Sequence, residues 1–168
     1  MTSHTSLLNR RNALRLGCLG LAAAGASCAT RPLPVALNLP GADQTAAALP
    51  LVNALRAQHG LSPLSVDPAA IDAALYQAKR MANLKKMAHL IGFGDDFGRR
   101  VKASGVKLPA AENIAEGQRS VDAVVNAWIH SPHHLENMLG PYTGLGVAVS
   151  PGFGPGQMPY WSMVLSHN

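Results

Sequence analysis

The sequence predicts an α+β fold in which helices pack on an antiparallel sheet. Apolar residues recur at helical spacing through the middle of the chain, whereas two short β-type runs close it. The chain has 168 residues, enough for one domain and too few for two of ordinary size. We place that domain at residues 49–168.

The first two helices are predicted from their end signals. One spans residues 50–59 and is ended by Gly60. The second begins at Asp67 and Pro68, because an aspartate caps the free backbone N–H groups and proline suits the first helical position. Its apolar stripe continues to about Ala88, where we expect the helix to end.

Three shorter helices follow. The first spans residues 95–104, and Ser120 caps the next one. Pro132 interrupts that helix after Ser131 and begins another helix, which covers residues 133–139. The helical part of the chain therefore ends just before the closing β-type runs.

The predicted strands lie mostly at the end of the chain. Residues 145–150 and 158–166 are apolar runs on either side of a Gly/Pro-rich loop at 151–156, which predicts a hairpin. A further strand is predicted to start near Glu112. No repeat is visible along the chain.

Residues 1–28 have the pattern of an export signal. Arg10 and Arg11 precede a short apolar run at 16–26, which is too short to span a bilayer. The arginine pair resembles a twin-arginine export signal. We therefore expect an exported protein, located in the periplasm or at the cell surface.

The end of this leader offers two processing routes. Ser27 and Cys28 resemble a bacterial lipoprotein box, which predicts a lipid tether on Cys28. A cut after Ala26 would instead release a soluble protein. Both routes stay open, and residues 29–48, rich in Ala and Pro, are predicted to be a tether.

Charge and cysteine content exclude several classes of function. The net charge is +5, but without Arg10, Arg11 and Arg15 of the leader 11 basic residues face 9 acidic ones. We therefore predict no nucleic-acid partner. The two cysteines, Cys18 and Cys28, both lie in the leader. A disulfide framework, a cysteine zinc site and a cysteine nucleophile are thus excluded from the domain.

Five polar residues could carry chemistry: His89, Glu112, Ser131, His134 and Asn137. Glu112 lies in an apolar stretch, so it is either a surface residue or a buried charge that needs a partner. His134 is the third residue of a predicted helix, where the helix dipole favours a neutral ring. Ser131 fits a helix cap better than a nucleophile, since the sequence contains neither G-x-S-x-G nor H-E-x-x-H.

Several motifs together resemble the CAP superfamily (the SCP-like or cysteine-rich secretory, antigen 5 and pathogenesis-related-1 domain), in its short bacterial exported branch. The resemblance covers residues 49–168. The matching segments are VNALRAQHGLSPL at 52–64, AKRMA at 78–82, MAH at 87–89, AENIAEG at 111–117, WIHSPHHLENML at 128–139, YTGLGV at 142–147 and YWS at 160–162.

The resemblance implies a three-layer α-β-α sandwich with a central, mostly antiparallel sheet. It also implies a cleft where His89, Glu112 and His134 meet, with the ligand types for a divalent metal such as zinc. Asn137, one helical turn beyond His134, is expected to support the site from behind. Ser131 stands where many larger members carry a second acidic residue. Glu116 and Glu136 are substitutes for it by position, although we expect both to be exposed.

Three functions follow from this reading. The favoured one is binding of a metal, a lipid or another small apolar molecule in the His/Glu cleft, without catalysis. The alternative is a hydrolase or peptidase acting on envelope peptide or polymer through His89, Glu112 and His134, or through Ser131 as a nucleophile beside His134. A purely structural envelope protein is the third. Binding is favoured because no nucleophile is visibly activated.

Overall fold

A sheet lies between two layers of helices. The computed structural model describes residues 40–152 and 156–168. The predicted leader, with Cys18 and Cys28, and the first part of the predicted tether lie outside the described residues. In chain order the elements are β1 (Ala42–Asp43), α1 (Thr45–Gln58), β2 (Ser65–Val66), α2 (Pro68–Leu84), α3 (Phe97–Ala103), β3 (Ala111–Glu116), α4 (Val121–Ile129), α5 (Pro132–Met138), β4 (Gly144–Ser150) and β5 (Tyr160–Ser166).

The sheet is mostly antiparallel. Its strand order is β1-β4-β5-β3, and the short β2 pairs in parallel with the start of β4. Both β3 and β4 run antiparallel to β5, so that Val164 faces Glu112 on one side and Gly146 on the other. Strand β3 is therefore an edge strand of the described sheet, with one edge free of strand partners.

Alternating side chains along the strands point to opposite faces of the sheet and are buried in separate cores. Leu145, Val147 and Met163 join the core under α1, α4 and α5. Ala148 and Val164 point the other way, into the core under α2 and α3. The sheet is thus covered on both faces, which confirms the predicted α-β-α sandwich. No helix among the described residues is both long and apolar enough to cross a membrane.

Helix α2 packs against the backbone of β4 at Gly146. A Cβ atom at this position would lie far inside van der Waals contact with the backbone of Ala70 and with the N atom of Ile71. Because no side chain fits between the two backbones, glycine is required here. The strand thereby fixes the position of the N-terminal turn of α2.

The first helix begins earlier than predicted. Helix α1 starts at Thr45 rather than at Pro50, and Ala48, expected in the tether, is completely buried. Asp43 accepts a hydrogen bond from Thr45 N at 2.8 Å, which satisfies one of the free N–H groups at the start of the helix. Residues 42–48 therefore belong to the fold. Pro50 was expected to open the helix, but it lies inside α1, where it removes one backbone donor.

The other helix boundaries follow the predicted signals closely. Asp67 caps α2 by accepting from Ala69 N at 2.9 Å, and Ser120 caps α4 by accepting from Ala123 N at 3.2 Å. Helix α2 ends at Leu84 rather than at Ala88, because Lys85 adopts a left-handed conformation with φ 50°. Ser131 occupies the N-cap position of α5, but its side chain makes no capping hydrogen bond.

Candidate functional site

The free edge of β3 organises the candidate site. Successive side chains of this strand point to opposite faces, so Glu112 faces α3 while Asn113 faces α5. Both residues sit near the strand edge, where the loop after α2 and helix α5 approach from the two faces. The candidate residues of the sequence analysis are thus distributed around one strand.

Glu112 is buried and fully paired. Its side chain is 4% exposed, and both carboxylate oxygens accept hydrogen bonds from Arg100 Nη2 at 3.1 Å. The Oε1 atom of Glu112 also lies 2.9 Å from Nδ1 of His89. Of the two alternatives for Glu112, the structure therefore has the buried charge with partners.

Arg100 connects Glu112 to a second buried carboxylate. Its Nη1 donates to Asp95 Oδ1 at 2.9 Å, and Arg80 Nη2 donates to Asp95 Oδ2 at 2.8 Å. Burial raises the pKa of the Asp95 carboxyl, but hydrogen bonds from Arg80, Ile91 N and Arg100 outweigh burial and lower the pKa to about 2. Two arginines and two carboxylates balance one another in this cluster.

The loop that carries His89 is tied to α2. Gln77 Nε2 donates to the carbonyl oxygens of Ala88 and His89, at 2.8 and 3.3 Å. Arg80 Nη2 donates to the carbonyl oxygen of Ile91 at 2.6 Å, and the Ile91 side chain is buried. The His89 side chain itself is 49% exposed. The backbone around His89 is therefore fixed to α2, while part of the imidazole is open to solvent.

His134 and Asn137 are joined to β3 through Asn113. The Asn113 amide donates to the carbonyl oxygen of His134 at 2.9 Å, and Asn137 Nδ2 donates to Asn113 Oδ1 at 2.8 Å. Burial lowers the pKa of His134, and the charges of His89 and His133 lower it further. The ring of His134 is thus disposed to be neutral and lies within electrostatic range of His89.

The candidate residues differ in how they could serve a metal. Glu112 does not fit as a direct ligand in this arrangement, because a guanidinium already faces both of its oxygens. His89 and His134 do fit, since each brings an imidazole. Over residues 40–152 and 156–168, no three His, Cys, Asp or Glu side chains are grouped as a metal site. Metal binding stays a prediction.

The remaining sequence candidates lie apart from this arrangement. Among the described hydrogen bonds, none joins the Ser131 hydroxyl to a histidine, and Ser131 is only half-buried. Glu116 and Glu136 are exposed, as expected. A groove of about 620 Å³ between α1 and α4, lined by residues such as Leu51 and Ile129, contains none of the candidate residues.

Sequence reasoning missed Arg100, Asp95 and Asn113 as site residues. A signal for Arg100 was present, because it shares a helix face with Phe97 and lies next to the buried Val101. An arginine on an apolar helix face needs a buried acid opposite it. Glu112, in its apolar stretch, was the complementary signal.

Known proteins with similar sequences and structures share this fold. Residues 49–164 match the model of the cysteine-rich secretory protein family, CAP. The chain is 35% identical over 100 residues to the protein YkwD of Bacillus subtilis (strain 168), a match that covers 58% of this chain and 38% of that protein.

The similar solved structures include the following two. An extracellular protein containing an SCP domain from Bacillus anthracis str. Ames superposes with a TM-score of 0.63 at 26% identity, over 73% of this chain and 40% of that one. An outer surface protein from Borrelia burgdorferi superposes with a TM-score of 0.65 at 19% identity, over 77% of this chain and 99% of that one. Together with the family match, which spans more than half of the sequence, these findings establish that the chain belongs to the cysteine-rich secretory protein (CAP) family.

Proposed function

We propose that the chain is an exported binding domain whose ligand is held by the imidazoles of His89 and His134 at the free edge of β3. Export is supported by the leader pattern at residues 1–28. It is also supported by the extracellular and outer-surface proteins that share the fold. The chain matches under half the length of the Bacillus relatives, so this proposal concerns the domain alone.

The hydrogen bond between Glu112 and His89 carries the proposal. A carboxylate accepts hydrogen bonds, so Nδ1 of His89 is the donor to Glu112, and in the neutral ring Nε2 carries the lone pair. Arg100 Nη2 donates to both oxygens of Glu112 and holds the carboxylate in place beside His89. Glu112 therefore orients the His89 ring and leaves Nε2 as its ligand nitrogen, as a carboxylate does behind many metal-binding histidines.

His134 supplies the second nitrogen. Because burial and His89 both lower its pKa, its ring is favoured in the neutral form that can bind a metal or accept a hydrogen bond. Zn²⁺ held by the two imidazoles would supply a Lewis acid with positions open to water or to another ligand. The site favours a metal or a polar ligand over a lipid, because the nitrogen of a neutral imidazole binds metals and hydrogen-bond donors.

The hydrolase alternative draws on the same pair. A histidine backed by a carboxylate is also the arrangement of a general base. Catalysis would further need an activated nucleophile or a bound water, and within the described residues the Ser131 hydroxyl has no histidine partner. Binding therefore remains the favoured function.

Equilibrium dialysis of the full chain with Zn²⁺ tests the proposal. We expect His89→Ala and His134→Ala each to weaken Zn²⁺ binding by at least about tenfold. Glu112→Gln should weaken it by about tenfold, because the amide lacks the negative charge that strengthens the hydrogen bond to His89. His59→Ala is the matched control, because His59 is exposed at the end of α1. Equal Zn²⁺ binding by wild type and both histidine variants, with unchanged unfolding midpoints, would exclude this metal site.

A further inference from the structure

Exposed apolar side chains are concentrated at the last residue of α2 and in the loop that follows it, together called the 84–93 loop. The described residues contain seven exposed large apolar side chains, and four of them fall between residues 84 and 93: Leu84, Met87, Leu90 and Phe93. Phe93 is fully exposed, at 110% of its reference area. Single exposed apolar residues are ordinary in soluble proteins, whereas a cluster marks an interaction surface.

A fifth exposed side chain lies at the same end of the sheet. Met158 lies next to Gly117, which directly follows β3. Tyr160, two residues further, packs against Met81 and Ile91 of the α2 region. The remaining two, Val66 and Leu108, lie at the opposite end, where β2 pairs with the start of β4 and where β3 begins.

The backbone of the 84–93 loop is held in place by hydrogen bonds. Gln77 and Arg80 bind three of its carbonyl groups, and Asp95 accepts a hydrogen bond from Ile91 N. The Ile91 side chain points inward, to 5% exposure. The backbone is thus anchored from inside, and its outward apolar side chains are presented in a fixed arrangement.

The charges of this loop are positive. Lys85 and Lys86 are the charged side chains within residues 84–93, and both are exposed. Asp95, which follows, is buried and paired with Arg80 and Arg100. Protruding apolar side chains beside lysines fit the boundary between lipid headgroups and acyl chains of an anionic membrane.

We propose that the 84–93 loop docks the domain onto an anionic lipid surface. Met87, Leu90 and Phe93 enter the headgroup region, and Lys85 and Lys86 bind lipid phosphates. His89 lies within the same loop, so the candidate site would open toward the membrane. This proposal goes beyond the binding of a ligand by His89 and His134 and does not depend on it.

The test uses a fluorescent reporter in the full chain. Phe93→Trp places an indole at the exposed end of the loop, while Trp128 and Trp161 are buried and respond little to solvent. We mix this variant with vesicles of equal parts phosphatidylglycerol and phosphatidylcholine, and with vesicles of phosphatidylcholine alone. Leu108→Trp, exposed at the opposite end, is the matched control for any attachment through the leader.

The expected result is a blue shift in the emission of the Phe93→Trp variant, with quenching by brominated acyl chains, in the anionic vesicles and not in the neutral ones. The Leu108→Trp control should change little. Adding Lys85→Glu and Lys86→Glu should weaken the response by about fivefold for each lysine neutralised, and further for the reversed charges. Unchanged emission of the Phe93→Trp variant in anionic vesicles, or an equal shift in the control, would overturn the proposal.

Discussion

Arg56 and Arg100 are both buried, yet they are stabilised in opposite ways. Arg56, on α1, donates to four backbone carbonyl oxygens and, among the described residues, pairs with no carboxylate: its acceptors are Ser62, Met138, Gly140 and Tyr142. Within residues 40–152 and 156–168, the acceptors of the Arg100 side chain, on α3, are the carboxylates of Asp95 and Glu112. The two regions lie on opposite faces of the sheet.

Arg56 therefore has a structural role, whereas Arg100 supports the candidate site. Arg56 connects the segments around α5 and β4 to α1, and burial lowers its pKa because no negative charge compensates it. Arg100 pairs with Glu112, and Glu112 in turn orients an exposed histidine. The contrast teaches that a buried arginine with carboxylate partners, rather than burial itself, points to the candidate site.

The largest expected effect is that of Arg100→Met. Its loss leaves Asp95 and Glu112 buried without their shared cation, so we expect a loss of about 4 kcal/mol in the free energy of unfolding. Urea titration of the full chain measures it, with Arg99→Met, an exposed neighbour, as the control. The double variant with Glu112→Gln should lose less than the sum of the two single variants. Strict additivity would contradict the pairing.

Arg56→Met is expected to cost somewhat less. It leaves carbonyl oxygens without donors but no charge without a partner, so we expect about 3 kcal/mol of destabilisation. Arg56→Lys should recover only part of this, since an ammonium cannot donate in several directions from one planar group. Full recovery by lysine in the same urea titration would show that charge, rather than the geometry of these hydrogen bonds, stabilises this region.

Acid should weaken the Arg100 region selectively, as the smallest of the three effects. The folded pKa of Asp95 is about 2 against an ordinary 3.8, so the unfolded chain binds the proton more readily. The stabilisation, about 2 kcal/mol, is complete above about pH 5 and is lost as the pH falls toward about 2.

Unfolding titrations of wild type and Asp95→Asn across this pH range measure the acid effect. Asp95→Asn should remove that part of the pH dependence. Asp72→Asn, at an exposed position of α2, is the control and should leave it in place. If the stability of wild type and Asp95→Asn fell in parallel on acidification, Asp95 would not be the group responsible.

Much of the fold could be predicted because its signals are local. The helix starts are predicted by Asp67, Ser120 and Pro132. Strands β4 and β5 are predicted because each is a run of mostly apolar residues. The two-residue strands β1 and β2 carry no periodicity and depend on β4 for pairing. The true start of α1 was missed because Pro50 is typical of a first turn.

The site could be predicted only in part. Glu112 in its apolar stretch implied a buried partner, and the family resemblance brought His89 and His134 forward. The partner itself, Arg100, is set by how α3 packs beside β3, a contact between segments that no local pattern encodes. Asn113 was likewise one more polar residue of the strand until its bonds to His134 and Asn137 were known.

The contact of Gly146 with α2 has a consequence at a distance. Ala70 touches the strand there, and Leu84 ends the same helix about 20 Å further along, at about 1.5 Å per residue. A rigid helix pivoting on that contact moves most at its far end, where the His89 loop begins. Gly146→Ala would thus tilt α2 and displace the imidazole of His89, although the added methyl group does not contact that residue.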